Sequence, residues 1–147
     1  MMENNVIDKF EEEYFFLSNY FECPVYYMGH KFKSSEAAYQ AQKCPSRTEE
    51  FTELTADEAK KLGKTVELRE DWDDVKDNIM YFIVRNKFIP NDDLMEKLIA
   101  TGNAELIEGN WWNDTYWGVC NGIGENKLGK ILMQVRKECV DLHIPKE

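Results

Sequence analysis

The apolar residues of this chain recur at helical spacing in two long stretches. In the first, they run from Trp72 to Ile83, and Pro90 marks where the helix should end. The second stretch follows Asn126, which we expect to cap a C-terminal helix whose apolar side chains share one face. The apolar positions are Trp72, Val75, Ile79, Phe82 and Ile83 in the first stretch and Leu128, Ile131, Leu132, Val135 and Cys139 in the second.

Shorter helices are predicted from capping residues. Ser34 and Ser35 precede a helix over residues 36–43, which stops before Pro45. A hydroxyl before the first turn can accept hydrogen bonds from free backbone N–H groups, and an acid in that turn suits the helix dipole.

Two further helices carry equally local signals. Thr55 is followed three residues later by Glu58, which is the spacing of a capping box, and that helix should end near Gly63. Asn91 is expected to cap a fourth helix, which Gly102 closes.

Strand-forming residues dominate residues 6–33, which we interpret as extended structure. Within them, residues 24–32 place such residues on both sides of Gly29, a pattern typical of a hairpin. The aromatic run 14–20 has neither alternation nor helical period, and we interpret it as a strand end that enters a packed loop. Residues 106–108 predict a further short strand.

The predicted elements favour an α+β fold, predominantly helical with a small antiparallel sheet. The chain has 147 residues, 43% of them hydrophobic and 31% charged, which suits one compact domain over residues 1–147. No apolar run approaches the ~20 residues that span a membrane. The net charge of −10 disfavours duplex DNA and anionic membranes as partners.

The cysteines and histidines predict neither a metal site nor a disulfide framework. Cys23, Cys44, Cys120 and Cys139 include no CxxC pair, and the two histidines lie far apart in the sequence. The first five residues lack a basic region followed by an apolar run, so we expect no secretory signal. We therefore expect a cytoplasmic protein with reduced thiols and no cofactor.

The strongest candidate for chemistry is Glu36 at the start of the predicted helix 36–43. Tyr39, Gln40 and Lys43 follow it by three, four and seven residues, so all four share one helix face. An ionised carboxylate in such a place can stabilise a developing positive charge. The alternative is an ordinary solvated acid in a first helical turn.

A second candidate group is Asp71, Trp72 and Lys76. Trp72 and Lys76 are four residues apart on one helix, where a flat indole can stack on a base and an ammonium can meet a phosphate. The alternative is a core tryptophan with a lysine that extends beside it towards solvent.

A third candidate is the loop 111–118, which holds three tryptophans among Asn, Asp and Gly residues. Asp114 could act as a base or accept a ligand hydroxyl in a pocket walled by Trp117, and a second aromatic core is the alternative. Phe16, Ser18 and Asn19 form a similar block, which either binds a ligand or satisfies turn backbone.

These blocks, taken in order, resemble the NADAR family, also called YbiA-like. The matching segments are Phe-Leu-Ser-Asn at 16–19, Ser-Ser-Glu-Ala-Ala-Tyr-Gln-Ala-Gln-Lys at 34–43, Ala-Lys-Lys-Leu-Gly-Lys at 59–64, Asp-Trp at 71–72 with Lys76 and Met80, Lys-Phe at 87–88, Thr-Gly at 101–102, Leu-Ile-Glu at 106–108, Asp-Thr-Tyr-Trp-Gly at 114–118, and Gly124 to Met133 with Arg136. The chain departs from the family pattern where Ala37 replaces a histidine and where Gly63 precedes Lys64 rather than arginine.

The resemblance covers about residues 10–137, which we take as the core of the domain. It implies hydrolysis of an N-glycosidic ribose C1–N bond by a compact, mainly helical α+β domain. The substrate classes it implies are phosphorylated ribosylamino-pyrimidine intermediates of riboflavin synthesis and ADP-ribose attached to guanine in nucleic acid. The alternative from another functional class is a non-catalytic ADP-ribose or nucleotide-binding module. A buried anion near C1 would not serve such a module and would be costly to desolvate.

Cleavage of a C1–N bond builds positive charge on C1 and the ring oxygen, which suggests roles for the candidate residues. We expect Glu36 to stabilise that charge and activate water, and Asp114 to orient ribose hydroxyls or share the base role. Lys43 and Lys76 are expected to bind phosphate or to orient the carboxylate, and in a second route one of them traps the opened sugar as an imine. Substrate contacts are assigned to Phe16, Ser18, Asn19, Tyr39, Gln40, Trp72, Trp117 and Gly118.

Overall fold

The computed structural model describes residues 5–143, and most of its regular structure is helical. Two 3-10 helices span Glu12–Leu17 and Pro45–Phe51. The α-helices are α1 Ser35–Ala41, α2 Ala56–Gly63, α3 Trp72–Phe88, α4 Asp92–Ala100 and α5 Lys127–His143. The prediction of a predominantly helical α+β fold is confirmed. Within residues 5–143, no helix combines the length and the apolar character needed to cross a membrane.

The strands are short and pair two by two. They are β1 Val6–Ile7, β2 Val25–Tyr27, β3 His30–Phe32, β4 Glu105–Leu106, β5 Gly109–Asn110 and β6 Val119–Cys120. β2 and β3 form the predicted antiparallel hairpin, whereas β1 pairs with β4 and β5 with β6 in parallel. The strand predicted at residues 106–108 begins one residue earlier, and neither parallel pair was predicted.

The contacts along the chain divide it into two compact units. The central unit comprises residues 19–87, and the terminal unit comprises residues 5–18 and 88–143 of the described chain. Large apolar side chains that are fully buried include Val25, Phe32, Phe51, Met80, Ile83 and Val84 in the central unit and Leu17, Phe88, Leu98, Leu106, Leu132 and Val135 in the terminal unit. The expectation of a single domain over residues 1–147 stays a prediction.

The capping signals account for the helix starts. The Ser34 hydroxyl accepts a hydrogen bond from the Ala37 backbone N–H at 3.1 Å, although α1 ends two residues earlier than predicted. Thr55 and Glu58 form the predicted capping box of α2, with bonds of 2.9 and 3.2 Å. The Asn91 side chain likewise accepts from the first turn of α4 at 3.1 Å.

The turn of the β2–β3 hairpin places a glycine and an exposed methionine in the left-handed region of φ. Met28 and Gly29 have positive φ angles of 50° and 82°, the arrangement of a type I′ turn. Glycine adopts this conformation without steric cost, whereas Met28 does so with its side chain 76% exposed. The turn sets the register that places Val25 opposite Phe32.

One local prediction is wrong. The aromatic run after Glu11 is a 3-10 helix rather than a strand end, with i→i+3 bonds from Tyr14 N to Glu11 O and from Ser18 N to Phe15 O, both 2.9 Å. Phe82 lies on α3 as predicted, and its side chain is 49% exposed.

The predicted start of α5 is confirmed in position, but the side chain of Asn126 acts differently. Asn126 precedes the helix, and its backbone carbonyl accepts from the Lys130 N–H at 3.0 Å. Its side chain does not cap the helix. It donates to the Leu106 carbonyl and accepts from the Glu108 N–H, each at 2.9 Å, and so fastens the helix start to the segment around β4.

Candidate active site

In the central unit, Asn19 fixes the first turn of α1. Its backbone carbonyl accepts from the Glu36 N–H at 3.0 Å, and its side-chain oxygen accepts from the Ser35 hydroxyl at 2.9 Å. The Asn19 amide nitrogen donates to the Met80 sulfur at 3.5 Å. These bonds hold Asn19 as a buried anchor of the helix start, and its assignment as a substrate contact stays a prediction.

Glu36 and Gln40 meet on one face of α1, as their spacing predicted. The Gln40 amide nitrogen donates to Glu36 Oε2 at 2.7 Å. Gln40 is buried and Glu36 is half-buried. A hydrogen bond to the charged form stabilises a carboxylate, so this contact favours ionised Glu36 in a defined orientation.

Lysines gather around the end of α1. Burial lowers the pKa of Lys43, Glu36 raises it, and Lys60, Lys64 and Lys76 each lower it further. Three like charges and one opposite charge, that of Glu36, therefore act on the half-buried Lys43 ammonium. Such a cluster is suited to an anionic group, and phosphate is the common one.

Tyr20 lies in the same electrostatic neighbourhood and was not predicted. Burial, Glu36 and Asp57 raise the pKa of Tyr20 to about 12. The Lys60 ammonium lies 6.0 Å from the centre of its ring. Tyr20 therefore remains a neutral phenol that can donate a hydrogen bond at any physiological pH.

Tyr39 and Trp72 pack against each other rather than standing free. Their ring centres are 5.1 Å apart at 51°, and each residue is 6% exposed. This placement matches the alternative of a core tryptophan, and their roles as substrate contacts stay predictions. Lys76 pairs with Asp73 at 3.1 Å across one turn of α3.

In the terminal unit, the Asp114 carboxylate stabilises its own loop through hydrogen bonds. Asp114 Oδ1 accepts from the backbone N–H groups of Tyr116 at 3.1 Å and Trp117 at 2.9 Å. Asn110 brackets the other side, accepting from the Asp114 N–H at 3.0 Å and donating to its carbonyl at 2.9 Å. Asp114 is thus tied into the turn, and its catalytic role stays a prediction.

Gly118 closes this loop by close packing. A Cβ atom at this position would overlap the carboxylate and carbonyl oxygens of Glu108, and would lie 2.8 Å from the Asn110 amide nitrogen. Only glycine fits here without displacing the network that holds Asp114. Glu108 and Asn110 were not predicted as site residues, because groups that they hydrogen-bond lie in β6 and in the turn that precedes it.

The remaining predicted residues of the terminal unit are aromatic or border an aromatic. Trp117 is half-buried with its ring centre 4.9 Å from that of Tyr116, at 83°. Phe16 is buried against Phe88, with 6.4 Å between ring centres. Ser18 is half-buried and ends the first 3-10 helix.

The loop also carries two outward-facing tryptophans. Trp111 is 82% exposed and Trp112 is 46% exposed, and their rings meet edge to face at 5.5 Å. The alternative of a second aromatic core therefore does not describe this pair.

The structure thus distributes the predicted residues over both units. The central unit holds Asn19, Glu36, Tyr39, Gln40, Lys43, Trp72 and Lys76, and the terminal unit holds Phe16, Ser18, Asp114, Trp117 and Gly118. Sequence reasoning missed Tyr20, Lys60 and Lys64. The two lysines stand four residues apart at the end of α2, in a segment that we used only for the family resemblance.

Among residues 5–143, no three His, Cys, Asp or Glu side chains come together in a way that could hold a metal ion. All four cysteines are free thiols.

Comparison with known proteins identifies relatives over nearly the whole chain. The NADAR domain family matches residues 6–140. N-glycosidase YbiA of Escherichia coli (strain K12) is 32% identical over 146 residues, which cover 94% of this chain and 91% of that protein. The solved NMR structure of E. coli YbiA covers 100% of this chain and 93% of its own, with a TM-score of 0.85 and 30% identity.

A longer relative matches with higher identity. A riboflavin biosynthesis protein of Vibrio vulnificus (strain YJ016) is 38% identical over 141 residues, which cover 92% of this chain. This chain spans only 38% of the length of the Vibrio protein.

Proposed function

This chain belongs to the NADAR domain family, and from that premise we propose that it is an N-glycosidase that hydrolyses the ribose C1–N bond of a phosphorylated ribosylamino-pyrimidine. The observation that carries the proposal is a half-buried carboxylate, Glu36, beside a cluster of four lysines. These are Lys43, Lys60, Lys64 and Lys76.

The carboxylate meets the demand of the bond-breaking step. As the C1–N bond lengthens, positive charge develops on C1 and the ring oxygen, and a nearby anion lowers the energy of that state. Glu36 is oriented by Gln40 and can also take a proton from the attacking water. The departing base nitrogen receives a proton as it leaves.

The lysine cluster is suited to bind the phosphate of the substrate. A 5-phosphate carries up to two negative charges, and Lys60 and Lys64 stand four residues apart at the end of α2, where both ammonium groups can serve one anion. The net charge of −10 disfavours a polyanionic duplex but not a small phosphorylated molecule. Relatives named as riboflavin biosynthesis proteins support the pyrimidine as the leaving group.

Lys43 offers a second route to the same products. Because burial lowers the pKa of Lys43, more of this amine is neutral near pH 7 than for an exposed lysine. The neutral amine adds to C1 of the opened sugar, the pyrimidine leaves as its free amine, and water then hydrolyses the lysine imine to return Lys43 and the sugar. Reduction with borohydride during turnover traps this imine as a stable adduct, and absence of an adduct at Lys43 favours direct attack by water.

The experiment that tests the function compares Glu36→Gln with Glu96→Gln. The first removes the charge of Glu36 but keeps its size and an acceptor for the Gln40 amide, and the second makes the same change at an exposed position of α4. Release of ribose 5-phosphate from ribosylaminouracil phosphate is measured. We expect Glu36→Gln to lose ~10²–10⁴ in kcat, because a charge that stabilises the transition state is removed, and Glu96→Gln to keep the wild-type rate.

Three outcomes would change the proposal. A wild-type rate for Glu36→Gln would overturn the role of Glu36. Faster turnover of ADP-ribosylated guanine in single-stranded DNA than of the pyrimidine would replace the substrate. Tight binding of ADP-ribose without turnover of either substrate would favour a non-catalytic binding module.

A further inference from the structure

The orientation of the Gln40 amide is dictated by Glu36. An ionised carboxylate only accepts hydrogen bonds, so the amide must present its nitrogen, and the donor–acceptor distance is 2.7 Å. A flipped amide would set two oxygens against each other. With the nitrogen committed to Glu36, the amide oxygen of Gln40 must point the opposite way.

That oxygen points at Gly63. It is buried, and in the described part of the chain no side chain or backbone group donates a hydrogen bond to it. A Cβ on Gly63 would overlap this oxygen and lie 2.9 Å from Gln40 Cδ and 3.3 Å from Gln40 Cβ. The glycine instead directs a Cα–H at the oxygen, which is the arrangement of a weak C–H···O contact.

Backbone conformation does not explain glycine at position 63. Gly63 is the last residue of α2, and its φ is not in the left-handed region. In a helix of this kind alanine is more favourable than glycine, because glycine loses more conformational freedom on folding. The glycine is therefore explained by the space that it leaves for Gln40.

We propose that Gln40 is a positioning residue for the Glu36 carboxylate, and that Gly63 is a second positioning residue because it leaves the room in which the Gln40 amide is held. This inference rests on the proposed function, because it assumes that Glu36 acts in the reaction. It gives Gln40 a different role from the substrate contact predicted from the sequence. A glutamate side chain has three rotatable torsions, and the bond to Gln40 selects one arrangement of its carboxylate.

The test is a double-mutant cycle between the two positions. Gly63→Ala should push the Gln40 side chain away from Glu36 and lower kcat about tenfold while changing KM little, because the substrate contacts remain. Gln40→Ala should lower kcat by a similar factor, since a hydrogen bond to a charged group is lost. In the Gln40→Ala background the space is empty, so adding Gly63→Ala should lower kcat no further.

Gly129→Ala is the matched control. Gly129 is also helical, and a Cβ there would overlap the Leu106 carbonyl and the Asn126 side chain in the terminal unit. This variant should lower the melting temperature, while the folded enzyme keeps the wild-type kcat. Equal losses of kcat from Gly63→Ala in both backgrounds, or a loss with Gly129→Ala as large as with Gly63→Ala, would overturn the proposal.

A readout that needs no substrate separates this inference from the proposed function. The side-chain NH₂ signal of Gln40 is assigned in a ¹⁵N-correlated NMR spectrum as the signal that Gln40→Met removes. In the wild-type protein it should lie apart from exposed glutamine signals, and both Glu36→Ala and Gly63→Ala should shift it towards them. If Glu36→Gln retains activity but these shifts occur, the role of Glu36 in the reaction fails while the positioning geometry stands, and an unshifted signal in Gly63→Ala overturns the role of Gly63.

Discussion

The two units treat their polar side chains differently. In the central unit, Lys43 and Lys87 lose their water to burial among other side chains, and burial is the largest cause that lowers the pKa of each. In the terminal unit, the side chains of Asp114, Asn126 and Arg136 form hydrogen bonds with backbone groups instead. The central unit therefore holds these two lysine charges at a desolvation cost, whereas the three polar groups of the terminal unit hold segments in place.

The bonds of the terminal unit show how this holding works. Arg136 donates from one nitrogen to the Ala104 carbonyl at 2.8 Å and to the Thr101 hydroxyl at 3.0 Å. Burial lowers the pKa of Arg136 as well. Its two acceptors lie at the end of α4 and just before β4. A charge satisfied by two fixed acceptors stabilises a connection and has little freedom to take part in chemistry.

The largest effect is expected from the buried lysine of the central unit. Lys87 is fully buried, and burial lowers its pKa to about 8 from the ordinary 10.5. Between these values the unfolded chain binds the proton and the folded chain does not, so stability should rise with pH across this window. The full change is about 3 kcal/mol, and it should disappear in Lys87→Met.

Denaturant unfolding at pH 7.5 and pH 9.5 spans about 2 kcal/mol of this change, measured as the difference in pH dependence between wild type and Lys87→Met. The difference is needed because burial also raises the pKa of Cys23, which lowers stability as pH rises above the ordinary value for a thiol. Equal pH dependence in the two proteins would show that Lys87 keeps its proton, and the contrast between the units would lose its clearest case.

A smaller effect is expected at Asp114. Asp114→Ala leaves two backbone N–H groups without their acceptor and should lower the free energy of unfolding by about 2 kcal/mol. Asp114→Asn retains an oxygen at that place, so it should cost much less and leave kcat within about threefold of wild type, the effect of a few tenths of a kcal/mol. A folded Asp114→Asn enzyme that has lost as much turnover as Glu36→Gln would give Asp114 a part in the reaction.

The smallest effect is expected at the exposed end of the same loop. Trp111 is 82% exposed, so Trp111→Ser should change the free energy of unfolding by less than about 0.5 kcal/mol. Its kcat and KM should match those of wild type. An increase in KM with an unchanged melting curve would place Trp111 against the substrate and give the terminal unit a binding surface.

Local rules were sufficient for much of the fold. The capping box of Thr55 and Glu58 and the cap of Asn91 need only residues within one turn, and the hairpin around Gly29 needs only its neighbours. The parallel pairing of β1 with β4 depends on residues a hundred positions apart, which no local pattern encodes. The 3-10 helix after Glu11 escaped prediction because its three-residue repeat matches neither the strand nor the α-helix period.

The candidate site divides in the same way. The contact between Glu36 and Gln40 follows from a spacing of four residues on a helix, so the sequence was enough to predict it. Lys60, Lys64 and Gly63 belong to a different helix, and their proximity to α1 is set by tertiary packing. For Asp114 the sequence indicated an important carboxylate, but its two backbone partners emerged only from the turn geometry.

The pairing of β1 with β4 affects the order in which contacts can form during synthesis. Residues 19–87 form contacts among themselves and leave the ribosome as one uninterrupted segment, so those contacts can form early. Strand β1 can pair with β4 only after Glu105 has been synthesised, and closing so long a loop is slow. A chain whose translation stalls before residue 105 therefore carries an unsatisfied strand edge at its beginning, which is the kind of segment that chaperones capture and aggregates recruit.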